Sequence, residues 1–175
     1  CTGLGFGVRE NWLLTKKEVS KVTVLEKNKE VIDYHKYINP KLFDHVEVIH
    51  INAHDYKGKC DTLLLDHYED EAGNANLEMD PKKIVDDMFV LQAASDILDN
   101  IECDRMWMWT LELIVAERSW RRSCEVGSYV SRRSIYNEIK TEFNLDKLPD
   151  LTEEQLNLYY FMYNSWSSFS SRYFK

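Results

Sequence analysis

The sequence is poor in the residues that break or cross-link a chain. Its 175 residues include only three prolines and six glycines, and 44% are hydrophobic, which excludes a collagenous or low-complexity chain. The four cysteines are far apart and form no C-x-x-C pair. This spacing favours neither a zinc site nor a secreted disulfide framework, so we expect a cytoplasmic protein in a reducing setting.

Long apolar runs and excess positive charge are also missing. No stretch of about 18 apolar residues occurs, and the start lacks the pattern of a signal peptide, so we expect no membrane span. The net charge of −8 argues against a broad nucleic-acid surface, because phosphate binding needs clustered basic residues. Five arginines nevertheless lie close together. They are Arg118, Arg121, Arg122, Arg132 and Arg133. The favoured interpretation is that they form a solvated helical face, and the alternative is that they contact a phosphate or RNA.

The remaining pattern is that of one α/β domain with a mostly parallel sheet. A chain of 175 residues has the length of a single domain. Short β-branched runs predict strands at residues 22–26, 46–51, 61–66 and 105–111, and helical stretches at 8–17, 29–37 and 81–101 alternate with them. Residues 1–112 therefore form the predicted core. Residues 113–175 form a mainly helical tail, with helices expected at 113–122, 129–143 and 152–165.

The polar and glycine residues of interest follow the predicted strands. Open parallel sheets bind ligands outside the carboxyl ends of their strands, and there the sequence places the loop CTGLGFG (residues 1–7), Glu26, Asn52 and Asp66. Glycine lets the backbone approach a ligand and take positive φ, and a following helix offers N–H groups to a carboxylate. Glu26, roughly 20 residues after the loop, has the spacing to accept both hydroxyls of a ribose.

These residues resemble the class I S-adenosylmethionine-dependent methyltransferases, whose opening motif reads acid-x-Gly-x-Gly-x-Gly. Cys1 stands in place of the first glycine. The resemblance implies a Rossmann-like three-layer sandwich in which Glu26 binds the donor ribose, Asn52 and Ala53 contact adenine, and Asp66 lies beside the methionine moiety. The residues that it assigns to the donor, S-adenosyl-L-methionine, are Thr2, Gly3, Leu4, Gly5, Glu26, Lys27, Asn52, Ala53 and Asp66.

The resemblance implies methyl transfer to an acceptor that the sequence does not specify, a small molecule being expected. Asp66 and His67 are the candidate catalytic residues; His67 would act as general base, because an imidazole with a pKa near 6.5 accepts a proton at neutrality. A dinucleotide dehydrogenase is disfavoured, since Val8 stands where G-x-G-x-x-G requires glycine. Assembly of identical chains into an oligomer stays open.

Two alternatives remain at this stage. Residues 21–32, KVTVLEKNKEVI, are similar to the spermidine-synthase branch, which transfers an aminopropyl group from decarboxylated S-adenosylmethionine. That branch carries an Asp-Ser-x-Asp-Pro type loop, whereas DHYEDE occupies residues 66–71 here. The other alternative is a non-catalytic or partner-dependent Rossmann-like module. It is favoured because no strand precedes Cys1 in this sequence, which predicts a gap between the strands at 22–26 and 61–66.

Overall fold

The chain is a mixed α/β protein. The computed structural model describes residues 1–4, 7–66, 87–108 and 111–157. Short 3₁₀ turns at Pro40–Asp44 and Ala53–Asp55 precede the second and third strands. The helices and strands follow one another in the order α1 (Val8–Leu14), β1 (Val22–Glu26), α2 (Lys29–Ile38), β2 (Val46–His50), β3 (Gly58–Leu65), α3 (Asp87–Leu98), β4 (Ile101–Met108), α4 (Leu111–Val126) and α5 (Arg132–Glu142).

The four strands form two parallel pairs. Strand β1 pairs with β2, and their last residues, Glu26 and His50, lie opposite each other. Strand β3 pairs with β4, and the last residue of each, Leu65 and Met108, are likewise opposite. Because both pairs are parallel, the residues that follow the two strands of each pair meet at one edge.

Residues 1–4 lie between the two pairs at this edge. The Thr2 N–H donates to the Leu64 carbonyl of β3 at 2.9 Å. On the other side, the Gly3 N–H donates to the Leu25 carbonyl of β1, and the Leu25 N–H donates to the Cys1 carbonyl, each at 2.9 Å. At the carboxyl ends of the strands, the gap expected between β1 and β3 is therefore bridged by residues 1–4.

Apolar side chains pack on both sides of β1. Successive residues of a strand point to opposite faces, and Val24 belongs to a small buried cluster with Leu4 and Leu42, whereas Leu25 belongs to a larger one. Side chains of α1 and α2 pack against the small cluster. The larger cluster collects side chains from α3, β4, α4 and α5, among them Leu91, Met106, Ile114 and Ile139.

Local signals in the sequence fix the ends of two helices. Helix α2 begins after Asn28, whose Oδ1 accepts a hydrogen bond from the Glu30 N–H at 2.8 Å, and it ends at Ile38, ahead of Pro40. Helix α5 begins after Ser131, whose Oγ accepts from the Ser134 N–H at 3.1 Å. Side chains of this kind satisfy the N–H groups that the first helical turn leaves unpaired.

Several predicted boundaries are wrong by a few residues. Strand β4 covers Ile101–Met108 rather than 105–111, and β3 begins at Gly58 rather than at 61. Both strands are longer at their polar beginnings, where Lys59 and Glu102 form a cross-strand ion pair of 2.7 Å. Helix α1 ends at Leu14 rather than at 17, where the Thr15 hydroxyl donates to the Trp12 carbonyl at 2.7 Å.

The predicted tail agrees with the structure in kind. Helices α4 and α5 occupy most of residues 111–142, close to the predicted ranges 113–122 and 129–143. The third predicted helix, 152–165, is described only up to residue 157, and the start of the helix predicted at 81–101 lies in the undescribed part of the chain. None of the helices in the described ranges has the length and apolar character that crossing a membrane requires.

Candidate ligand site at the strand ends

Gly3 is the residue of the predicted loop that the structure constrains most tightly. Its φ is +73°, and a Cβ atom at this position would lie 2.5 Å from the Asp66 carbonyl oxygen. The neighbouring Thr2 is fully buried, and its Oγ1 accepts a hydrogen bond from the Asp66 N–H at 2.9 Å. Thr2 and Gly3 therefore hold Asp66, the first residue after β3, against the loop. Only glycine fits at position 3, because a side chain there would collide with the Asp66 backbone.

Glu26 connects the loop to the end of β1. It is only 8% exposed, and its Oε2 accepts from the Leu4 N–H at 2.8 Å. Its Oε1 accepts from the Asn28 N–H at 2.7 Å. Each carboxylate oxygen has two lone pairs, so both oxygens keep capacity for one further donor such as a ribose hydroxyl. Glu26 thus shapes the loop through two backbone N–H groups and retains acceptor capacity.

Arg9 is a residue that the sequence interpretation missed. It lies in the first turn of α1, and its Nη1 donates to the Asp66 Oδ2 at 2.9 Å. Its Nη2 donates to the Gly3 carbonyl, and its Nε donates to the Glu10 Oε1 at 2.9 Å. The signal available in the sequence was an arginine two residues after the glycine loop and next to Glu10. Its guanidinium joins the loop, α1 and the end of β3.

The remaining predicted contacts lie next to Glu26. The Ile51 N–H donates to the Glu26 carbonyl at 3.1 Å, which places Asn52 beside the end of β1. The Asn52 Oδ1 accepts from the His54 N–H at 3.1 Å, which leaves the amide nitrogen and the second lone pair of this oxygen to meet a ligand. Ala53 is buried. Lys27 is exposed, and its carbonyl accepts from the His50 ring at 3.1 Å.

The structure thus brings most of the predicted donor-binding residues to one edge. Hydrogen bonds at this edge join Leu4 to Glu26 and Asp66 to Thr2. Two predicted residues, Gly5 and His67, and the acidic run at 69–71 lie outside the described residues. Their roles stay predictions.

Known proteins give no independent information about this site. Comparisons of the chain with protein-family models, curated proteins and solved structures find no match. The function must therefore be inferred from the residues and their geometry.

A concavity lies at the opposite end of β3 and β4, away from this edge. This cleft, of about 580 Å³, is bordered by Gly58 and Ile101, where the two strands begin. Its lining carries the acids Asp99, Glu102, Asp104 and Asp146. None of the predicted site residues lines it, and no group of three histidine, cysteine or acidic side chains suited to a metal ion occurs in the described ranges.

Three of the five clustered arginines form ion pairs with glutamates of α4 and α5. Arg118 pairs with Glu142 at 3.3 Å, and the Arg122 guanidinium donates to both carboxylate oxygens of Glu138. Arg121 pairs with Glu117, one helical turn away. The exposed side chains of Arg121 and Arg122 agree with the favoured interpretation of a solvated helical face.

Glu112 is a further polar residue near the carboxyl end of β4. It lies in the first turn of α4, and its Oε2 is buried without a hydrogen-bond partner among the described residues. Burial raises the pKa of the Glu112 carboxyl above its ordinary value of 4.5, and a hydrogen bond from its own backbone opposes the rise only in part. Burial without a partner favours the neutral acid.

Replacing Glu112 with glutamine is expected to stabilise the protein at neutral pH. The folded state binds the Glu112 proton more tightly than the unfolded state, so stability falls as the pH rises from 4.5 through the folded-state pKa. Glutamine does not ionise, so the Glu112→Gln variant does not lose stability in this way as the pH rises. Urea midpoints measured from about pH 4 to about pH 8 should therefore separate progressively from those of the wild type.

Glu125→Gln is the matched control, because Glu125 is an exposed glutamate on the same helix. Its stability should follow the wild-type pH dependence. A Glu112→Gln curve that runs parallel to the wild type across this range would contradict the assigned burial.

Proposed function

We propose that this protein is an S-adenosylmethionine-dependent methyltransferase with a Rossmann-like fold. The supporting observation is the hydrogen-bonded edge formed by Thr2, Gly3, Glu26 and Asp66. Segments far apart in the sequence meet there at the carboxyl ends of parallel strands, which is where open α/β sheets bind nucleotide-like ligands.

The strand arrangement supports the proposed fold. Across the edge, the order is β2, β1, residues 1–4, β3 and β4, with apolar clusters on both faces of β1. A single parallel sheet covered by helices on both faces has this organisation. Residues 1–4 lie between β1 and β3, where the proposed fold has the end of a central strand.

The polar groups at the edge match the chemistry of the donor. Glu26 has acceptor capacity for the ribose hydroxyls, and the Asn52 amide lies at the neighbouring strand end for the adenine ring. Asp66 lies across the loop from Glu26, and its side chain is 38% exposed. An exposed carboxylate suits the ammonium group of the methionine moiety.

Methyl transfer makes limited demands on the residues of this site. Bound S-adenosylmethionine supplies a methyl carbon on a positively charged sulfur, and transfer to a nucleophile leaves the bonding electron pair on that sulfur as a thioether. The protein contributes proximity and orientation. Asp66 and the loop would fix the donor, and His67, which lies outside the described residues, would accept a proton where the acceptor has one to lose.

Thermal unfolding with added ligand tests the proposal. S-adenosylmethionine and S-adenosylhomocysteine, each at 100 times its dissociation constant, are expected to stabilise the protein by about 2.7 kcal/mol. NAD at the same concentration should have little effect. Absence of any response to both adenosyl compounds would contradict the proposal, and a stronger response to NAD would favour a dinucleotide site.

Glu26→Gln makes the same titration specific to the site. An amide provides one acceptor oxygen where Glu26 uses two, so we expect affinity for S-adenosylhomocysteine to fall by at least about tenfold. Glu47→Gln is the control, because Glu47 lies on β2 and pairs with the exposed Lys21. Undiminished affinity in a folded Glu26→Gln variant would refute the ribose contact.

A further inference from the structure

The pair formed by Arg9 and Asp66 presents opposite charges side by side at the proposed donor site. Their charged atoms are 2.9 Å apart, and their side chains are 21% and 38% exposed. Further hydrogen bonds within the protein hold both residues in place. The Arg9 guanidinium contacts the Gly3 carbonyl and Glu10, and the Asp66 backbone N–H donates to Thr2.

Hydrogen-bonding capacity remains on both members of the pair. Of the five N–H groups of a guanidinium, Arg9 uses one on Nε, one on Nη1 and two on Nη2 with acceptors among the described residues. One N–H on Nη1 is left. For Asp66, Oδ2 accepts from Arg9, and the structure shows no partner for Oδ1 within the described ranges. A donor and an acceptor of opposite charge are thus adjacent.

We infer that the Arg9–Asp66 pair binds the amino-acid end of the donor as a zwitterion and so selects S-adenosylmethionine over its decarboxylated form. The Asp66 Oδ1 accepts from the α-ammonium group, and the remaining Arg9 Nη1–H donates to the α-carboxylate. This inference rests on the proposed function and deepens it. Decarboxylated S-adenosylmethionine keeps the ammonium group but offers Arg9 no carboxylate, so the pair favours methyl transfer over aminopropyl transfer.

Local charge supports this assignment once the buried carboxylates are considered separately. Counting Glu10, Glu26 and Asp66 against Arg9 gives an acidic site, which alone would favour the more cationic decarboxylated donor. Glu10 is only 1% exposed and its carboxylate is engaged by Arg9, while Glu26 accepts backbone N–H groups of the loop and of α2. Of these four described side chains, Arg9 and Asp66 are left to face an amino-acid moiety, and their charges cancel as those of the zwitterion do.

The difference in affinity should be measurable. A hydrogen bond that involves a charged group and is made in a partly desolvated site typically changes affinity by about 10- to 100-fold. We therefore expect S-adenosylhomocysteine to bind more tightly than its decarboxylated counterpart, the 3-aminopropyl thioether of adenosine. That compound in turn should bind more tightly than methylthioadenosine, which has neither charged group.

Isothermal titration of the full chain with these three compounds tests the inference. In the wild type, each charged group should improve affinity by at least about tenfold. Asp66→Asn should reduce the gap between the aminopropyl compound and methylthioadenosine. The double variant Arg9→Met with Glu10→Gln, which avoids leaving a buried charge unpaired, should reduce the gap between S-adenosylhomocysteine and the aminopropyl compound. Methylthioadenosine has neither charged group, so its affinity reports any change in the loop itself, and each gap is measured relative to it.

Arg122→Met is the control, since Arg122 also pairs with a carboxylate but on α4 and α5, and it should leave all three affinities unchanged. Equal binding of S-adenosylhomocysteine and the aminopropyl compound by the wild type would overturn the inference while the proposed function survives. The inference would also be overturned if the double variant kept the full difference in affinity between S-adenosylhomocysteine and the aminopropyl compound. Failure of all three compounds to bind the wild type would overturn the proposed function itself. Where a variant does not fold, the wild-type series can still overturn the inference.

Discussion

Replacing Gly3 with alanine is expected to destabilise the protein by about 2–5 kcal/mol, from the cost of a left-handed backbone and of overpacking. The φ of Gly3 is +73°, and an added Cβ would lie 2.5 Å from the Asp66 carbonyl oxygen. The backbone of Asp66 cannot retreat easily, because its N–H donates to the buried Thr2 Oγ1 at 2.9 Å. The loop and the end of β3 would therefore separate, and affinity for S-adenosylhomocysteine should fall with stability.

Gly127→Ala separates the two causes of this effect. Gly127 has a φ of +66°, yet a Cβ there would have no heavy atom within 4 Å. Its replacement should cost only the conformational part, about 1–2 kcal/mol, and should leave ligand affinity unchanged. Urea denaturation of both variants, with a ligand titration of each, makes the comparison. Equal destabilisation by the two substitutions would show that Asp66 does not pack closely against Gly3.

The strands of the proposed donor site were predictable because their signals are local. Strand β1 consists of β-branched and apolar residues and ends at Glu26, as the sequence predicts. Asn28 and Pro40 delimit α2 by capping and by steric exclusion, both of which act over a few residues. The edge at which Glu26 meets the glycine loop therefore followed from the sequence.

The beginnings of β3 and β4 were not predictable in the same way. Lys59, Asp61, Glu102 and Asp104 are exposed polar residues, and residues of these types are depleted in strands. They are extended because β3 and β4 pair over their whole length. Backbone pairing between residues far apart in the chain decided these boundaries. In the first half of β4, the buried Ile101 and Cys103 alternate with the exposed acids.

The role of Glu26 shows what sequence reasoning gives for a site and what it misses. Its spacing from the glycine loop predicts a ligand contact, but not that its carboxylate accepts the Leu4 and Asn28 N–H groups. Arg9 was missed for a related reason. Its contacts reach Asp66, 57 positions away in the sequence, and only the fold brings the end of β3 to α1.

Arg9→Met is expected to destabilise the protein by about 3–5 kcal/mol, because removing one partner of a buried ion pair leaves the other charge uncompensated. The carboxylate left behind is that of Glu10, which is 1% exposed, and the partners that the structure shows for it in the described ranges are the Arg9 nitrogens, at 2.6 and 2.9 Å. Asp66 is 38% exposed and can be solvated instead. Unfolding in urea measures the loss.

A second substitution shows whether the unpaired charge is the cause. Adding Glu10→Gln to Arg9→Met removes that charge, so the double variant should recover at least about half of the lost stability, a coupling typical of residues in direct contact. Arg122→Met should cost no more than about 1 kcal/mol, because Arg122 and Glu138 are both exposed to solvent. If the losses from Arg9→Met and Glu10→Gln simply add, Glu10 does not depend on Arg9. In that case the contacts of Arg9 with the loop carbonyls, and not its charge, stabilise this edge.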